Sequence, residues 1–436
     1  MSGSAGQSRY SSPRYTWYVV VVLLLVYMMH HLDRMIVTLL LDPIGREFRL
    51  SDSQLGLLAG LAYAVPFAIA GLPLGMLVDR VNRVRLVGTL LTIWSGLTAL
   101  SAFATGFWTL LIARVGVAAA ESGGTPTNVS LISDAVPAKR RATALGVYYT
   151  GSSLGTIFGF AVAGAVAAEY GWRAGFLVAG LPGLLLAILV WRTVVEPQRG
   201  HHHAGRDAAD QSRNEPPPSA APSLGEALRM IIATKPALHL IAGSTIAGMV
   251  AIGLSTWLPA LMIRSHGADL ASVGTLIAFA ISPLGAVATL IGGRVGDRLH
   301  ARSAAMTPVF LGICVAVTMP AAGFAILSPT MTGLVVGFAL QTVAQVLISA
   351  PAYAAVMGHV PANVRGVSAS VMQVSANVLG FGIGAQVIGI GSDLLHPIAG
   401  DQSLRYAMLA LLAVNLWAVL HFVLATRAAR RQEARA

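Results

Sequence analysis

Long, unbroken runs of apolar residues constrain this chain more than any other feature. Residues 17–29, for example, read WYVVVVLLLVYMM without a charge or a turn former. A helix needs about 20 predominantly apolar residues to cross a bilayer, whereas the strands of a membrane barrel alternate apolar and polar positions over about ten residues. The runs therefore predict membrane-spanning helices and exclude a barrel.

Composition points to the same class of protein. Of the 436 residues, 55% are hydrophobic and only 11% are charged, whereas about a quarter of a soluble domain is charged. An ordinary soluble enzyme is therefore excluded. The chain has a single cysteine, and its sequence contains neither a phosphate-binding loop nor an HExxH motif. We therefore expect no cofactor and no metal site. The net charge of the chain is +11. In a membrane protein such an excess usually comes from Lys and Arg residues in the cytoplasmic loops, so we expect no nucleic-acid partner.

Twelve apolar stretches are long enough to be spans, and residues 195–222 separate them into two sets of six. That separating segment is rich in proline, serine and charge, which is typical of a disordered linker. Ser223 and Glu226 form a capping-box signature before apolar residues, which predicts a short helix on the membrane surface. The predicted spans cover residues 17–41, 54–78, 86–105, 108–133, 142–167, 173–193, 237–263, 271–293, 304–327, 330–357, 366–391 and 404–426.

The predicted fold is an all-α polytopic membrane protein with twelve transmembrane helices in two six-helix pseudo-repeats. The tails and loops on one side hold 22 Lys and Arg residues and those on the other side hold 5, so both termini are predicted to be cytoplasmic. We expect a monomer in the bacterial inner membrane. The predicted parts are a cytoplasmic tail (1–16), an N-terminal bundle (17–194), a linker with the interfacial helix (195–236), a C-terminal bundle (237–427) and a basic tail (428–436).

The two halves carry related motifs. Residues 75–85 read GMLVDRVNRVR after the second span, and residues 293–302 read GRVGDRLHAR after the eighth. Residues 136–142 (VPAKRRA) align in the same way with residues 360–366 (VPANVRG). These paired motifs predict a duplicated six-span unit.

Four charged residues lie inside predicted spans and away from the span ends, all in the first half: Asp33 and Arg34 in span one, Arg114 and Glu121 in span four. A charge at the centre of a spanning helix costs a few kcal/mol on insertion scales, so its presence suggests a function. At about 1.5 Å per residue, Asp33 and Arg114 fall at similar depth. Glu121 lies seven residues after Arg114, on nearly the same helix face.

Two carboxylates that flank one fixed cation suit proton coupling. Arginine keeps its proton at any relevant pH, whereas a buried carboxylate changes its proton affinity with solvation and with its partner. The alternative is a static ion pair that holds two helices together, although such a pair needs only one acid. We expect Asp33, Glu121 and Arg114 to form the proton-coupling site.

Other polar residues in the spans are candidates for a proton relay or for the lining of a substrate cavity. For each of them the alternative is a packing role, as a hydrogen-bonded histidine or as an interhelical hydrogen bond. Gly151, Gly155 and Gly159 recur every four residues, as do Gly380 and Gly384, and predict close helix crossings. The relay or cavity candidates are His30, His31, Arg34, Tyr149, Trp257, Gln341, Gln345, Tyr353, Gln373 and Asn377.

At this point the motifs resemble a known family. The GMLVDRVNRVR loop and its second copy are similar to the signature between helices two and three of the major facilitator superfamily. More narrowly, HHLDRMIV at residues 30–37, Asn82, and the stretch of residues 114–148 resemble the Spinster-like family. This resemblance implies the major facilitator fold, and proton-linked transport by alternating access, with Asp33 and Glu121 as protonation sites and Arg114 as their switching partner.

The resemblance also implies a conformational latch on the cytoplasmic side. In it Arg83 pairs with an acid at the end of span four, here Asp134, and the second copy is weaker because Ala301 stands where Arg83 would be. The latch residues are Gly75, Asp79, Arg80, Arg83, Asp134, Asp297 and Arg298.

The predicted function is that of a proton-coupled secondary active transporter, and the chain is not expected to be an enzyme. Eukaryotic relatives in the Spinster-like family are linked to lysophospholipids, so we expect export of an amphipathic, lipid-like solute. The partners are then this solute, protons and membrane lipids. The alternatives are an organic-anion/proton symporter, a drug efflux facilitator and, less favoured, a membrane receptor without transport.

Overall fold

The computed structural model describes residues 9–10, 12–199 and 222–434. Within these ranges all regular secondary structure is helical and no strand occurs. The prediction of an all-α protein is therefore confirmed.

Ten helical stretches in the described part of the chain are long and apolar enough to cross a membrane. The fourth predicted span is interrupted between Glu121 and Gly124, so neither of its two short helices counts alone. Predicted spans eleven and twelve fall within one stretch, Ala362–Glu433. The multi-pass character is confirmed, whereas the count of twelve spans and the orientation of the termini stay predictions.

The helices form two compact units. Among the described residues, the first unit contains those up to Pro43 and residues 65–199, and the second contains residues 44–64 and 222–434. Helices α1 and α3 run from one unit into the other at residues 43–44 and 64–65. The first eight helices are α1 (Pro13–Phe48), α2 (Asp52–Ala59), α3 (Leu61–Val78), α4 (Arg83–Ser101), α5 (Phe107–Glu121), α6 (Gly124–Ala135), α7 (Ala138–Tyr170) and α8 (Trp172–Thr193).

The remaining helices belong to the second unit. Two short π-helical segments, Leu276–Ile281 and Ala376–Gly384, interrupt the regular α-helices there. The others are α9 (Leu224–Ala233), α10 (Lys235–His266), α11 (Leu270–Thr275), α12 (Ser282–Arg302), α13 (Met306–Leu327), α14 (Met331–Leu347), α15 (Ser349–His359), α16 (Arg365–Ser375), α17 (Ala385–Ala399), α18 (Ser403–Ala413) and α19 (Asn415–Glu433).

Side-chain caps mark where several helices begin. The Ser223 hydroxyl accepts a hydrogen bond from the Glu226 amide, and the Glu226 carboxylate accepts one from the Ser223 amide, which satisfies two otherwise unpaired donors. The predicted capping box at α9 is therefore confirmed. One face of α9 packs through buried Ala227 and Ile231 against the core of the second unit. Its place on the membrane surface stays a prediction.

Glycines allow close helix contact in both units. A methyl group added at Gly151 would lie 2.6 Å from the main-chain oxygen of Leu24, and one at Gly155 would lie 2.8 Å from His31 Cβ. In the second unit, a methyl group at Gly384 would lie 3.3 Å from the Cα of Gly253. The predicted close crossings are therefore confirmed at Gly151, Gly155 and Gly384. At Gly380 an added methyl group would meet the end of the Ile252 side chain at 2.7 Å, and at Gly159 it would make an ordinary contact with Leu32, at 3.5 Å from its Cα.

Helix α2 is bound to the second unit by carboxylates. Arg264 Nη1 donates to both oxygens of Asp52 at 2.8 and 2.9 Å, and the Ser392 hydroxyl donates to Asp52 Oδ2 at 2.6 Å. The amides of Asp52 and Ser53 donate to the two oxygens of Asp393 at 2.9 and 2.8 Å. An acidic group at a helix N-terminus is favourable because it faces unpaired N–H groups. These bonds explain why residues 44–64 belong to the second unit.

Candidate functional site

Helices α1 and α5 bring the predicted proton-coupling residues together inside the first unit. Asp33, Arg114 and Glu121 are 1%, 6% and 0% exposed. Arg114 Nη1 donates to the main-chain oxygen of Asp33 at 3.3 Å, and the charges of Arg114 and Glu121 both act on the Asp33 carboxylate. The seven-residue spacing on α5 places Arg114 and Glu121 two turns apart on one helix face.

The Asp33 carboxylate lies in an unusual environment. Both of its oxygens are buried, and Thr98 is the side chain that hydrogen-bonds to this carboxylate. A buried carboxylate with so few hydrogen-bond partners is costly, so it asks for a reason. A carboxylate that must gain and lose a proton is one such reason, since a fully satisfied carboxylate would be held in one state.

His30 is the fourth member of the cluster. Its Nδ1 lies 3.6 Å from Glu121 Oε2, and both side chains are buried. The ring stacks on Tyr27 with centroids 5.8 Å apart, and it meets Trp94 and Phe67 edge-on at 6.5 and 6.3 Å. The sequence singled out His30 but not its contact with Glu121, because that contact depends on the relative rotation of two helices.

The other first-unit candidates surround this cluster at different depths. Arg34 is buried, and its charge acts on His30. His31 is half-buried, and its Nδ1 lies 3.4 Å from the Tyr27 main-chain oxygen. Tyr149 is exposed and meets the Tyr27 ring edge-on, with centroids 5.6 Å apart. Sequence reasoning missed Tyr27, although an aromatic residue three positions before His30 was a usable signal.

The candidates of the second unit divide into buried and exposed groups. Trp257 has no exposed surface, and its indole N–H donates to the Ala385 main-chain oxygen at 2.9 Å, which is a packing contact. Gln341 is buried, and its Oε1, like that of Gln345, accepts no hydrogen bond from the described residues. Tyr353 is exposed and donates to the Ala369 oxygen at 2.9 Å. Gln373 is exposed, and its main-chain oxygen accepts from Asn377 Nδ2 at 3.1 Å.

Arg83 is the centre of the latch residues in the first unit. It is 1% exposed, and its Nη1 contacts Asp134 Oδ2 at 2.5 Å and the Ser130 hydroxyl at 2.9 Å. Its Nε contacts Glu196 Oε1 at 2.7 Å. The structure therefore places Arg83 beside the expected acid and adds a second acid.

Glu196 belongs to the segment that the sequence assigned to the linker. Its other oxygen accepts from the Val84 amide at 3.0 Å, and Pro197 accepts from Arg83 Nη2 at 3.0 Å. The Arg199 guanidinium donates to the main-chain oxygens of Val78, Asp79 and Val81. Residues 195–199 thus pack on the motif of residues 75–85. The sequence signal was an acid followed by proline and a base directly after span six, which composition alone assigned to the linker.

The two copies of the motif differ. Asp79 and Arg80 are exposed, and Gly75 is half-buried. In the second copy Asp297 and Arg298 are exposed, and neither forms an ion pair within the described residues. Thus only the first copy has a buried arginine with two acids.

Comparison with known proteins identifies the family. Residues 23–385 match the family model described as Major Facilitator Superfamily. The chain belongs to the Major Facilitator Superfamily. This superfamily is one of transporters, so the chain is a multi-pass inner-membrane transporter of small molecules and not an enzyme.

Two relatives within the superfamily cover most of the chain. The MFS-type efflux pump of Mycolicibacterium smegmatis is 28% identical over 402 residues, which are 92% of this chain and 90% of the relative. The hexuronate transporter of Bacillus subtilis is 26% identical over 390 residues, which are 88% of this chain and 89% of the relative. The first is named an efflux pump and the second a transporter.

Solved structures of the superfamily confirm the predicted fold and the resemblance to Spinster. A bacterial homologue of the human lysosomal transporter Spinster, inward-facing and unoccupied, matches with a TM-score of 0.85 and 26% identity over 96% of this chain and 98% of the other. The same homologue in an occupied conformation matches with a TM-score of 0.80 over the same shares. The major facilitator fold is thus confirmed.

Proposed function

We propose that the protein is a proton-coupled secondary active transporter that works by alternating access. The observation that carries this proposal is the buried cluster of His30, Asp33, Arg114 and Glu121 in the first unit. Three of these four groups are titratable, and the fourth is a cation that keeps its proton. Because a buried charge in a spanning helix carries an insertion cost, such a cluster points to a function.

The proposed cycle moves one proton between water and the cluster. Arg114 keeps its charge, so the carboxylate nearer to it is held as the anion, and the other carboxylate is free to take a proton. A conformational change then moves Arg114 from one acid toward the other, which carries the proton. The approaching cation stabilises the deprotonated form of that acid, so the acid releases its proton. His30 lies beside Glu121 and serves as the relay for this step.

We propose an amphipathic, lipid-like solute such as a lysophospholipid as the exported substrate. The similarity to an efflux pump supports export, and the resemblance to the Spinster-like family supports a lipid-like solute. The second unit supplies uncharged amides such as Gln341 and Gln345, which suit a solute with one polar end better than a sugar. The similarity to a hexuronate transporter favours a second candidate, an organic-anion/proton symporter.

Arg83, Asp134 and Glu196 are proposed as the cytoplasmic latch. A buried arginine that holds two acids stabilises the conformation in which they meet. We also propose that the two bundles comprise residues 17–194 and 237–427, and that the protein is a monomer.

Ligand-dependent thermal shift on the purified transporter separates the two substrate candidates. A solute that binds the folded state raises the melting temperature by mass action. Lysophosphatidylcholine and lysophosphatidylglycerol are expected to raise it, and glucuronate and small organic acids are not. A shift with glucuronate and none with lysolipids would favour the organic-anion symporter.

Flux in proteoliposomes tests proton coupling with the solute that binds. An imposed pH gradient is expected to drive transport by the wild type, and Asp33→Asn and Glu121→Gln are expected to abolish the gradient-dependent part. Asp401→Asn, the same acid-to-amide change on an exposed side chain of the second unit, serves as the matched control. Wild-type flux by both acid variants would refute the coupling assignment.

A further inference from the structure

The His30 ring is enclosed by three aromatic side chains, which we name the aromatic box: Tyr27, Phe67 and Trp94. Tyr27 stacks on it with an interplanar angle of 18°, and Trp94 stands perpendicular to it at 88°. Phe67 approaches edge-on. The box thus offers His30 one parallel face and two edge contacts.

Tyr27 is itself fixed from behind. Its ring stacks on Tyr148 of α7, with centroids 4.6 Å apart and an angle of 28°. Tyr148 has no exposed surface, and its hydroxyl oxygen accepts a hydrogen bond from Asn128 Nδ2 at 3.4 Å. A three-ring stack therefore runs from Tyr148 through Tyr27 to His30, and it ends at the Glu121 carboxylate.

We propose that Tyr27 is a positioning residue that holds the His30 imidazole against Glu121 and stabilises the ring when it carries a proton. The inference rests on the proposed proton coupling, which names His30 as a relay, and it adds the device that makes the relay work. A stacked ring within about 6 Å attracts an imidazolium through the negative face of its π-system and still packs against a neutral imidazole.

The stack suits a group that changes charge inside a bundle. His31 and Arg34 on the same helix, and Arg114 and Glu121 on α5, are the titratable and charged groups that act on His30. From α7, Tyr148 and Tyr149 face Tyr27 and not His30 directly. Of the charged partners only Glu121 attracts an imidazolium, so the Tyr27 face supplies the second favourable contact.

The test uses Trp94 as a built-in reporter and needs no substrate. An imidazolium quenches a neighbouring indole more strongly than a neutral imidazole does. The Trp94 signal is defined as the fluorescence of the full-length protein in lipid nanodiscs minus that of its Trp94→Phe variant, and it is followed from pH 4 to pH 9. We expect one step in the wild type and no step in His30→Gln.

Substitutions at Tyr27 decide the positioning role. Tyr27→Phe keeps the stacked ring and is expected to keep the midpoint of the step. Tyr27→Leu removes the face and is expected to move the midpoint by about half a pH unit to lower pH. Tyr18→Leu, the same change on the same helix at an exposed site, is the matched control and is expected to leave the midpoint in place.

Several outcomes would overturn the inference. A step that persists in His30→Gln shows that Trp94 reports another group, and a Tyr27→Leu midpoint within about 0.1 unit of the wild type shows that the stack does not act on His30. If Tyr27→Leu does not fold, Tyr148→Leu replaces it, because this variant withdraws the support behind Tyr27; an unchanged midpoint there refutes the inference equally. Loss of proton-driven flux in Asp33→Asn is independent of this readout, so the proposed function and the positioning role fail separately.

Discussion

The interiors of the two units differ in charge. In the described part of the chain, every buried side chain of Asp, Glu or Arg belongs to the first unit, whereas the buried polar side chains of the second are amides and hydroxyls. Because the second unit reaches a similar helical packing without such charges, the fold does not require them. The buried charges of the first unit are therefore the place to test the proposed proton coupling and latch. They are Asp33, Arg34, Asp42, Arg83, Arg114, Glu121 and Asp134.

Removal of the central cation should produce the largest effect on stability. Arg114→Gln leaves Asp33 and Glu121 buried without their fixed counter-charge, and loss of one partner of a buried pair costs about 3–5 kcal/mol. We expect this decrease in the free energy of unfolding in detergent at pH 7. The matched change in the second unit, Gln341→Leu, replaces an amide whose Oε1 accepts no hydrogen bond from described residues, and it should be nearly neutral.

The pair of variants can contradict the comparison in two ways. If Arg114→Gln is as stable as the wild type, the cluster is not held by this cation. If Gln341→Leu is equally destabilising, the second unit depends on buried polarity as much as the first does.

The two motif copies offer the next largest contrast. Arg83→Gln removes a buried guanidinium from Asp134 and Glu196 and should cost about 3 kcal/mol. Arg298→Gln changes an exposed side chain in the second copy and should stay within about 0.5 kcal/mol. Unfolding by denaturant in detergent measures both, and equal losses would show that the second copy forms a comparable cluster.

Several parts of the site could be predicted from sequence because they depend on local spacing. Span assignment alone identified Asp33, Arg114 and Glu121 as buried, since a charge within a long apolar run has no polar surface nearby. The four-residue glycine period likewise predicted the close crossings at Gly151 and Gly155. Each of these depends on one helix and its period.

Other parts could not be predicted because they depend on contacts between distant segments. Asp52 and Asp393 meet across 341 positions, and no local pattern encodes this contact. Glu196 was assigned to the linker because composition averages over a window and does not register one acid that reaches Arg83. The contact of His30 with Glu121 depends on helix rotation, which apolar periodicity sets only coarsely.

Glycine substitutions test whether helix packing, unlike charge, is shared by the two units. Gly155→Ala in α7 places a methyl group 2.8 Å from His31 Cβ, and overpacking of this kind costs about 1–3 kcal/mol. Gly384→Ala in the second unit meets Gly253 and the Met249 main-chain oxygen and should cost a similar amount. Thermal melting in detergent measures both.

The matched controls lie in the same two units. Gly146 in α7 and Gly248 in α10 have no atom within 4 Å of an added methyl group, so their change to alanine should be neutral or stabilising by up to about 1 kcal/mol. A loss at Gly155 without a loss at Gly384 would mean that packing also differs between the units.

Charges of the second unit act at helix ends, where we expect smaller effects. Asp393→Asn weakens the cap on α2, because an amide offers one neutral oxygen where the carboxylate accepts from two N–H groups. The expected loss is about 1 kcal/mol in the free energy of unfolding. Asp401→Asn, at an exposed site of the same unit, should leave the free energy of unfolding unchanged. Equal free energies for the two variants would show that the Asp393 carboxylate does not stabilise α2 as a cap.

The smallest expected effect is the pH dependence contributed by Asp269, which caps α11 outside the spans. Hydrogen bonds from the Ser272 hydroxyl and then from the Ser272 amide lower the pKa of Asp269 below its usual value. A lowered folded-state pKa means that the carboxylate stabilises the folded protein above the unfolded-state pKa of about 3.9. That contribution is lost as the pH falls through the folded-state pKa. The difference in melting temperature between wild type and Asp269→Asn should therefore be constant from pH 8 to about pH 5 and shrink below it. A difference that grows on acidification would mean that the protonated form is the one that the fold prefers, and that the helix-end charges of the second unit do not act as caps.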